Sequence, residues 1–154
     1  NVQGDEPFID ESHLAASIRL VRDEGWDVGT VASRIESREE WRSPSAVKVV
    51  RGRDGGALYF SRAPIPYLRD GEPGPADFET GEFLRHIGVY AYRADALQKW
   101  VELPESPLER IERLEQLRPL AAGVRIGVAV VEAAEGGVDT LEDAERAALR
   151  LRAS

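Results

Sequence analysis

Residues 82–93 read EFLRHIGVYAYR. β-Branched and aromatic residues without proline make this stretch a strand. Alternation places Leu84, His86, Gly88, Tyr90 and Tyr92 on one face. Phe83, Arg85, Ile87, Val89 and Ala91 fall on the other, which is mostly core. The first face sets an imidazole and a phenol on either side of a glycine, and the glycine leaves a gap against the sheet. Such a gap suits a polyhydroxy ligand gripped by His86 and Tyr90. The alternative is a half-buried strand whose polar tips reach water or backbone.

Working outward from that strand, residues 94–103 and 106–120 read as helices. The second has an explicit start: Ser106 as N-cap, Pro107 at the first helical position, and Glu109 completing a capping box. Leu108, Ile111, Leu114 and Leu117 form its apolar stripe, with Glu115 and Gln116 beside it. Residues 124–132 make a buried strand, and 140–152 a closing helix after Gly136-Gly137. On the N-terminal side, AVKVVRGRDGGALYFS (46–61) is a hairpin around an Asp-Gly turn. Residues 62–81, rich in Pro, Gly and charge, read as a long ordered loop. Residues 37–41 give one helical turn, and 26–35 a strand. Residues 10–25 give a helix capped by Asp10 or Ser12, with Leu14, Ile18 and Val21 on one face. NVQGDEP (1–7) is a strand running into a turn. Strands and helices alternate around one inserted hairpin, which predicts an α/β layered domain with a mixed sheet.

The totals narrow the function. At 154 residues with 42% hydrophobic content, the chain is the size of one domain and can bury a core. No apolar run approaches a membrane span, and no signal peptide is visible at the acidic start. A net charge of −8 argues against a nucleic-acid partner. With no cysteine there is no disulfide or thiolate metal site, which fits a reducing cytoplasm.

Five constellations could carry chemistry. Asp5, with Glu6, stands at the carboxyl end of the first strand, where open α/β sheets bind ligands. It can hold Mg²⁺ or simply close the turn. Asp139 falls between a strand and a helix, so it either flanks the cap of that helix or, with Asp5, builds a divalent cation site. His86 and Tyr90 make the third. Glu115 and Gln116 are a solvated helix surface or a polar grip on a ligand. Arg62 and Arg69 flank the proline-stiffened SRAPIPYLRD (61–70) and suit a carboxylate or phosphate; surface ion pairs are the alternative.

NVQGDEP, AVKVV, ALYFSRAPIPY, FLRHIGVYAYRAD, SPLERIERLEQLR and GVDT followed by ED occur here in order, from the first residue nearly to the last. In this the chain resembles the C-terminal part of the 3-deoxy-manno-octulosonate (Kdo) cytidylyltransferases, the CMP-Kdo synthetases. The resemblance implies a Rossmann-like, GT-A-like nucleotidyltransferase domain with a mixed sheet. In the family, a basic loop of the form R-x-x-S-T-R-L-P-G-K that wraps the CTP triphosphate comes ahead of NVQGDEP. No such loop occurs here, so the expectation is an N-terminally truncated domain. Residues 1–154 are then the C-terminal part of a single nucleotidyltransferase domain, inactive alone.

The resemblance further implies a reaction: CTP and Kdo give CMP-Kdo and diphosphate with Mg²⁺, in a cytoplasmic homodimer serving lipopolysaccharide synthesis. It matches Asp5 and Asp139 to metal-binding and catalytic aspartates, and Gln3 to the cytidine pocket. It matches Arg69, His86, Tyr90, Glu115 and Gln116 to Kdo-binding positions, with Arg62 contributing. Leu141 replaces a proline usual after GVDT. Two other functions remain open: a cytidylyltransferase for another acidic sugar, and a non-catalytic sugar-acid binding or dimerisation module.

Overall fold

The strand predicted at 82–93 lies in the middle of a five-stranded sheet. The structure is a computed structural model and describes residues 1–4 and 9–132. Its strands are β1 (Val28–Arg34), β2 (Lys48–Arg51), β3 (Ala57–Ser61), β4 (Leu84–Tyr92) and β5 (Ile126–Val131). Their spatial order is β3-β2-β4-β1-β5. β1 runs parallel to β5 and antiparallel to β4, so the sheet is mixed, as the alternation predicts. The helices are α1 (Glu11–Arg22), α2 (Arg38–Arg42), α3 (Pro75–Phe78), α4 (Ala94–Glu102), α5 (Pro107–Glu112) and α6 (Leu117–Ala121).

The two faces of β4 pack as alternation requires. Leu84 and Tyr90 join Val28, Phe60, Trp100, Leu117 and Val128 in one cluster. Ile87 and Val89 join Leu20, Val31 and Ala129 in another, towards α1. A small satellite of Ile35, Trp41, Phe78 and Phe83 closes the end that carries α2 and α3. The hairpin turns at Gly55, whose φ of 91° requires glycine or strain.

Three expectations need correcting. First, α1 buries His13, Ser17 and Leu20, whereas Leu14 and Ile18 remain 39% and 48% exposed. The cause is a close approach: a Cβ on Gly29 of β1 would lie 2.2 Å from the Ser17 carbonyl oxygen. Small residues let the helix settle there, and that contact sets its rotation. Second, residues 62–81 are not all loop, because Pro75–Phe78 forms α3 with proline in its first turn.

Third, residues 106–120 do not form one helix. The capping box at Ser106 and Glu109 is present, but α5 ends at Arg113, which takes the left-handed conformation with φ 54° and ψ 49°. A continuous helix would bring the Pro119 ring against the Glu115 carbonyl and lose one backbone bond. Restarting at Leu117 puts Pro119 in a first turn, where proline is tolerated. Glu109 then clamps the two pieces, accepting from Arg118 Nε at 2.8 Å and from a terminal guanidinium nitrogen at 2.6 Å.

Candidate functional site

The N-terminal residues lie against β4. The amino group of Asn1 donates to the Tyr90 carbonyl at 2.8 Å, and Tyr90 N donates back to the Asn1 carbonyl at 2.8 Å. Val2 bridges Val89, and Gln3 N donates to the Gly88 carbonyl at 2.9 Å. Gln3 thus stands over Gly88, in the gap that alternation predicts between His86 and Tyr90. Its Nε2 donates to Glu115 Oε1 at 3.0 Å. The break at Arg113 turns Glu115 and Gln116 into the entry to α6, with Glu115 exposed and Gln116 buried.

His86 is buried, and its ring lies 5.0 Å from Phe60 and 5.4 Å from Tyr90, centroid to centroid. Its tautomer follows from the neighbouring hydroxyl. Thr30 Oγ1 has one hydrogen and donates it to the Val89 carbonyl at 2.7 Å. The 2.9 Å contact between Thr30 Oγ1 and His86 Nε2 is therefore donated by the imidazole. Burial, aided by the charge of Arg85, pulls His86 down to about 3. A neutral ring protonated on Nε2 keeps Nδ1 as an acceptor, which suits a sugar hydroxyl better than proton abstraction.

Tyr90 is buried, stacks on Tyr92 at 5.9 Å, and meets Trp100 edge-on at 6.0 Å. Burial pushes the Tyr92 phenol up, and the charge of Glu115 adds to the effect. Gln3 therefore lies over Gly88 and holds Glu115, while the rings of His86 and Tyr90, which flank Gly88 along β4, lie 5.4 Å apart.

The arginines behave differently. Arg62 is held within the protein: its Nε donates to the Glu112 carbonyl at 3.1 Å and a terminal nitrogen to the Pro44 carbonyl at 2.9 Å. Arg69 is exposed and makes no hydrogen bond or ion pair with the described residues. Asp5 and Asp139 lie outside the described residues. Among the described residues no group of three or more His, Cys, Asp and Glu side chains could hold a metal ion, and no helix is long and apolar enough to cross a membrane.

Three residues with a part in this arrangement escaped the sequence reading. Thr30 fixes the His86 tautomer, and its signal is a polar residue inside the apolar run of β1. Glu112 accepts from Ser61 Oγ at 2.6 Å and Arg62 N at 2.9 Å, tying α5 to the end of β3. Lys48 is fully buried, and its ammonium donates to the carbonyls of Ser43, Ala46 and Arg62 at 2.6, 2.5 and 2.7 Å. Burial and the Arg62 charge pull it down to about 8. Only the protonated amine has three hydrogens for three carbonyls, which favours the charged form. A lysine in a strand gives no sequence signal of such burial.

Comparison with known proteins adds to this geometry. Residues 1–126 match the sequence profile of the family described as Cytidylyltransferase. The chain is 50% identical over 147 residues to a 3-deoxy-manno-octulosonate cytidylyltransferase of Gemmatimonas aurantiaca, covering 96% of this chain and 56% of that protein. It is 46% identical over 154 residues to the protein of the same name in Xanthomonas campestris pv. campestris, covering 98% and 55%. A solved structure of CMP:2-keto-3-deoxy-manno-octonic acid synthetase complexed with CTP matches with a TM-score of 0.83 and 41% identity. That match covers 100% of this chain and 61% of the solved one. The chain spans little more than half the length of the curated relatives it matches.

Proposed function

The chain belongs to the cytidylyltransferase family, and from that premise we propose that the protein activates Kdo with CTP, releasing CMP-Kdo and diphosphate. The observation that carries this reading is the placing of Gln3 over Gly88, bonded to Glu115, beside the paired rings of His86 and Tyr90 on the same strand. A sugar acid with many hydroxyls needs donors and acceptors held in place. This cluster supplies an amide, a neutral imidazole, a phenol and a carboxylate. The names of the relatives specify Kdo and that of the solved neighbour includes CTP, which supports the choice of both substrates.

In the proposed reaction the anomeric hydroxyl oxygen of Kdo bonds to the α-phosphorus of CTP. The bond from that phosphorus to the bridging oxygen breaks, diphosphate leaves, and the hydroxyl proton passes to solvent. Gln3 lines the cytidine side; His86, Tyr90, Glu115 and Gln116 hold the sugar. Arg69, with no partner among the described residues, suits the sugar carboxylate. Arg62 contributes from the same loop. Asp5 and Asp139 would hold Mg²⁺, for which two carboxylates are a suitable oxygen donor set. Bound there, it would supply positive charge against the charge gathering at phosphorus. The chain's own contribution is positioning and electrostatic stabilisation. The same reading places the protein in the cytoplasm as a homodimer, and the exposed Val101 and Ile111 on α4 and α5 offer apolar surface for pairing.

Diphosphate release from CTP, Kdo and Mg²⁺ tests the proposal in the full-length gene product. Release that depends on Kdo is expected, with a loss of about 100-fold or more in Asp5→Asn or Asp139→Asn. Turnover with a different 2-keto sugar acid and none with Kdo would overturn the substrate. Near-normal turnover of both aspartate variants would overturn their metal role.

A further inference from the structure

Gly88 is not a glycine for the sake of its backbone, since its φ is not positive, unlike those of Gly25, Gly55, Gly71, Gly81 and Gly123. What it provides is space. A Cβ at this position would lie 2.1 Å from Gln3 Oε1, 2.8 Å from Gln3 Cδ and 3.0 Å from Gln3 Cβ. The first two distances are well inside van der Waals contact. The third involves an atom fixed to a backbone that is itself bonded to the Gly88 carbonyl at 2.9 Å. Any side chain at 88 therefore expels the Gln3 side chain from its place. In that place the Gln3 amide reaches Glu115 Oε1 at 3.0 Å. Glu115 belongs to the turn between α5 and α6, whose carbonyl at Glu115 accepts from Arg118 N at 3.1 Å.

We propose that Gly88 is a positioning residue: it seats Gln3 so that the Gln3–Glu115 hydrogen bond couples the nucleotide and sugar-acid halves of the site. This rests on the proposed function, which puts Gln3 with the nucleotide and Glu115 with the sugar acid. A ligand that fixes Gln3 also fixes its partner carboxylate, so the second ligand meets a side chain already ordered. The coupling is positive, and linkage makes it reciprocal.

Two measurements on the full-length protein test this. The first needs no ligand. Gly88→Ala is expected to lower the melting temperature, and adding Gln3→Ala to the same chain is expected to recover most of the loss, because the two closest atoms, Oε1 and Cδ, are gone and only the 3.0 Å contact with Cβ remains. A loss that persists in the double variant overturns the seating.

The second is calorimetric titration with Kdo and with α,β-methylene-CTP, which cannot release diphosphate. Each ligand is expected to tighten the other by the same factor, about 10-fold. That factor should fall towards 1 in Gln3→Ala and Glu115→Ala, and in Gly88→Ala if it folds. The double variant Gln3→Ala/Glu115→Ala should be no more uncoupled than either single. An unchanged factor in Gln3→Ala overturns the coupling even if Gly88→Ala cannot be made. Failure of the wild type to bind either ligand, with the melting result as expected, removes the proposed function and the coupling together but leaves the seating standing.

Discussion

His86 Nε2 donates to Thr30 Oγ1 at 2.9 Å, across the register break that pairs Thr30 with Tyr90 and Val31 with Ile87. One threonine hydroxyl decides which nitrogen of a buried imidazole carries the proton, and hence whether the ring accepts or donates at its other edge. Thr30→Val leaves a buried N–H without its acceptor, at a cost of about 1–3 kcal/mol. The sugar-acid KM should rise more than kcat falls, since the reading gives His86 a binding role. Equal loss in kcat and kcat/KM would argue for a role in the chemical step instead.

Titration of the same ring has a definite sign. Folding lowers His86 from its ordinary 6.5 to about 3. Between those values the unfolded chain binds a proton that the folded chain refuses, so stability falls as pH drops from 6.5 towards 3. In an NMR titration the His86 resonances should not move above pH 5. His86→Gln should flatten this part of the stability curve in urea unfolding. A His86 midpoint near 6.5 would contradict the burial argument.

Glu109 gives a second acid limb of different origin. Its bidentate contact with Arg118 holds the carboxyl below its ordinary 4.5. Stability from this pair is fully present above the unfolded value and is lost as pH falls through the folded one. Glu109→Gln should be less stable than the wild type at pH 7 and converge with it as pH falls well below 4.5. A gap independent of pH would mean that packing, not charge, holds α5 to α6.

Lys48 should be intolerant of an apolar replacement. Lys48→Met leaves three partly buried carbonyls without their donor, for a destabilisation of about 3 kcal/mol. Urea unfolding monitored by tryptophan fluorescence measures it directly. A loss below about 0.5 kcal/mol would show that the carbonyls find other partners.

Arg113 should be improvable. A left-handed residue carrying a Cβ is strained by about 1–2 kcal/mol, and glycine relieves this while costing some backbone entropy. Arg113→Gly should therefore stabilise by about 0.5–1 kcal/mol, read as a rise in melting temperature. A fall would show that the Arg113 side chain makes contacts worth more than the strain.

Much of the fold is local, and the sequence could dictate it. Alternation in β4 separates Tyr90 from Ile87 correctly, the Asp-Gly turn sets the hairpin, and Ser106 with Pro107 and Glu109 starts α5. These are properties of neighbouring residues: a period of two, a turn conformation, a cap within one helical turn. The sequence also carried enough motif in order to place the chain in its family.

Only the tertiary structure decided what the polar residues do. The Gln3–Glu115 bond joins positions 112 residues apart, and the Thr30–His86 bond spans 56. Helical periodicity put Leu14, Ile18 and Val21 on one face of α1, but the helix buries His13, Ser17 and Leu20, because its rotation is set by the approach of Ser17 to Gly29 on another element. It also ran α5 into α6, because the chain reverses at Arg113 to let Glu109 meet Arg118. The pattern along a chain reports which groups want burial or a partner. Which partner each one gets depends on distances between segments, and those exist only once the sheet has formed.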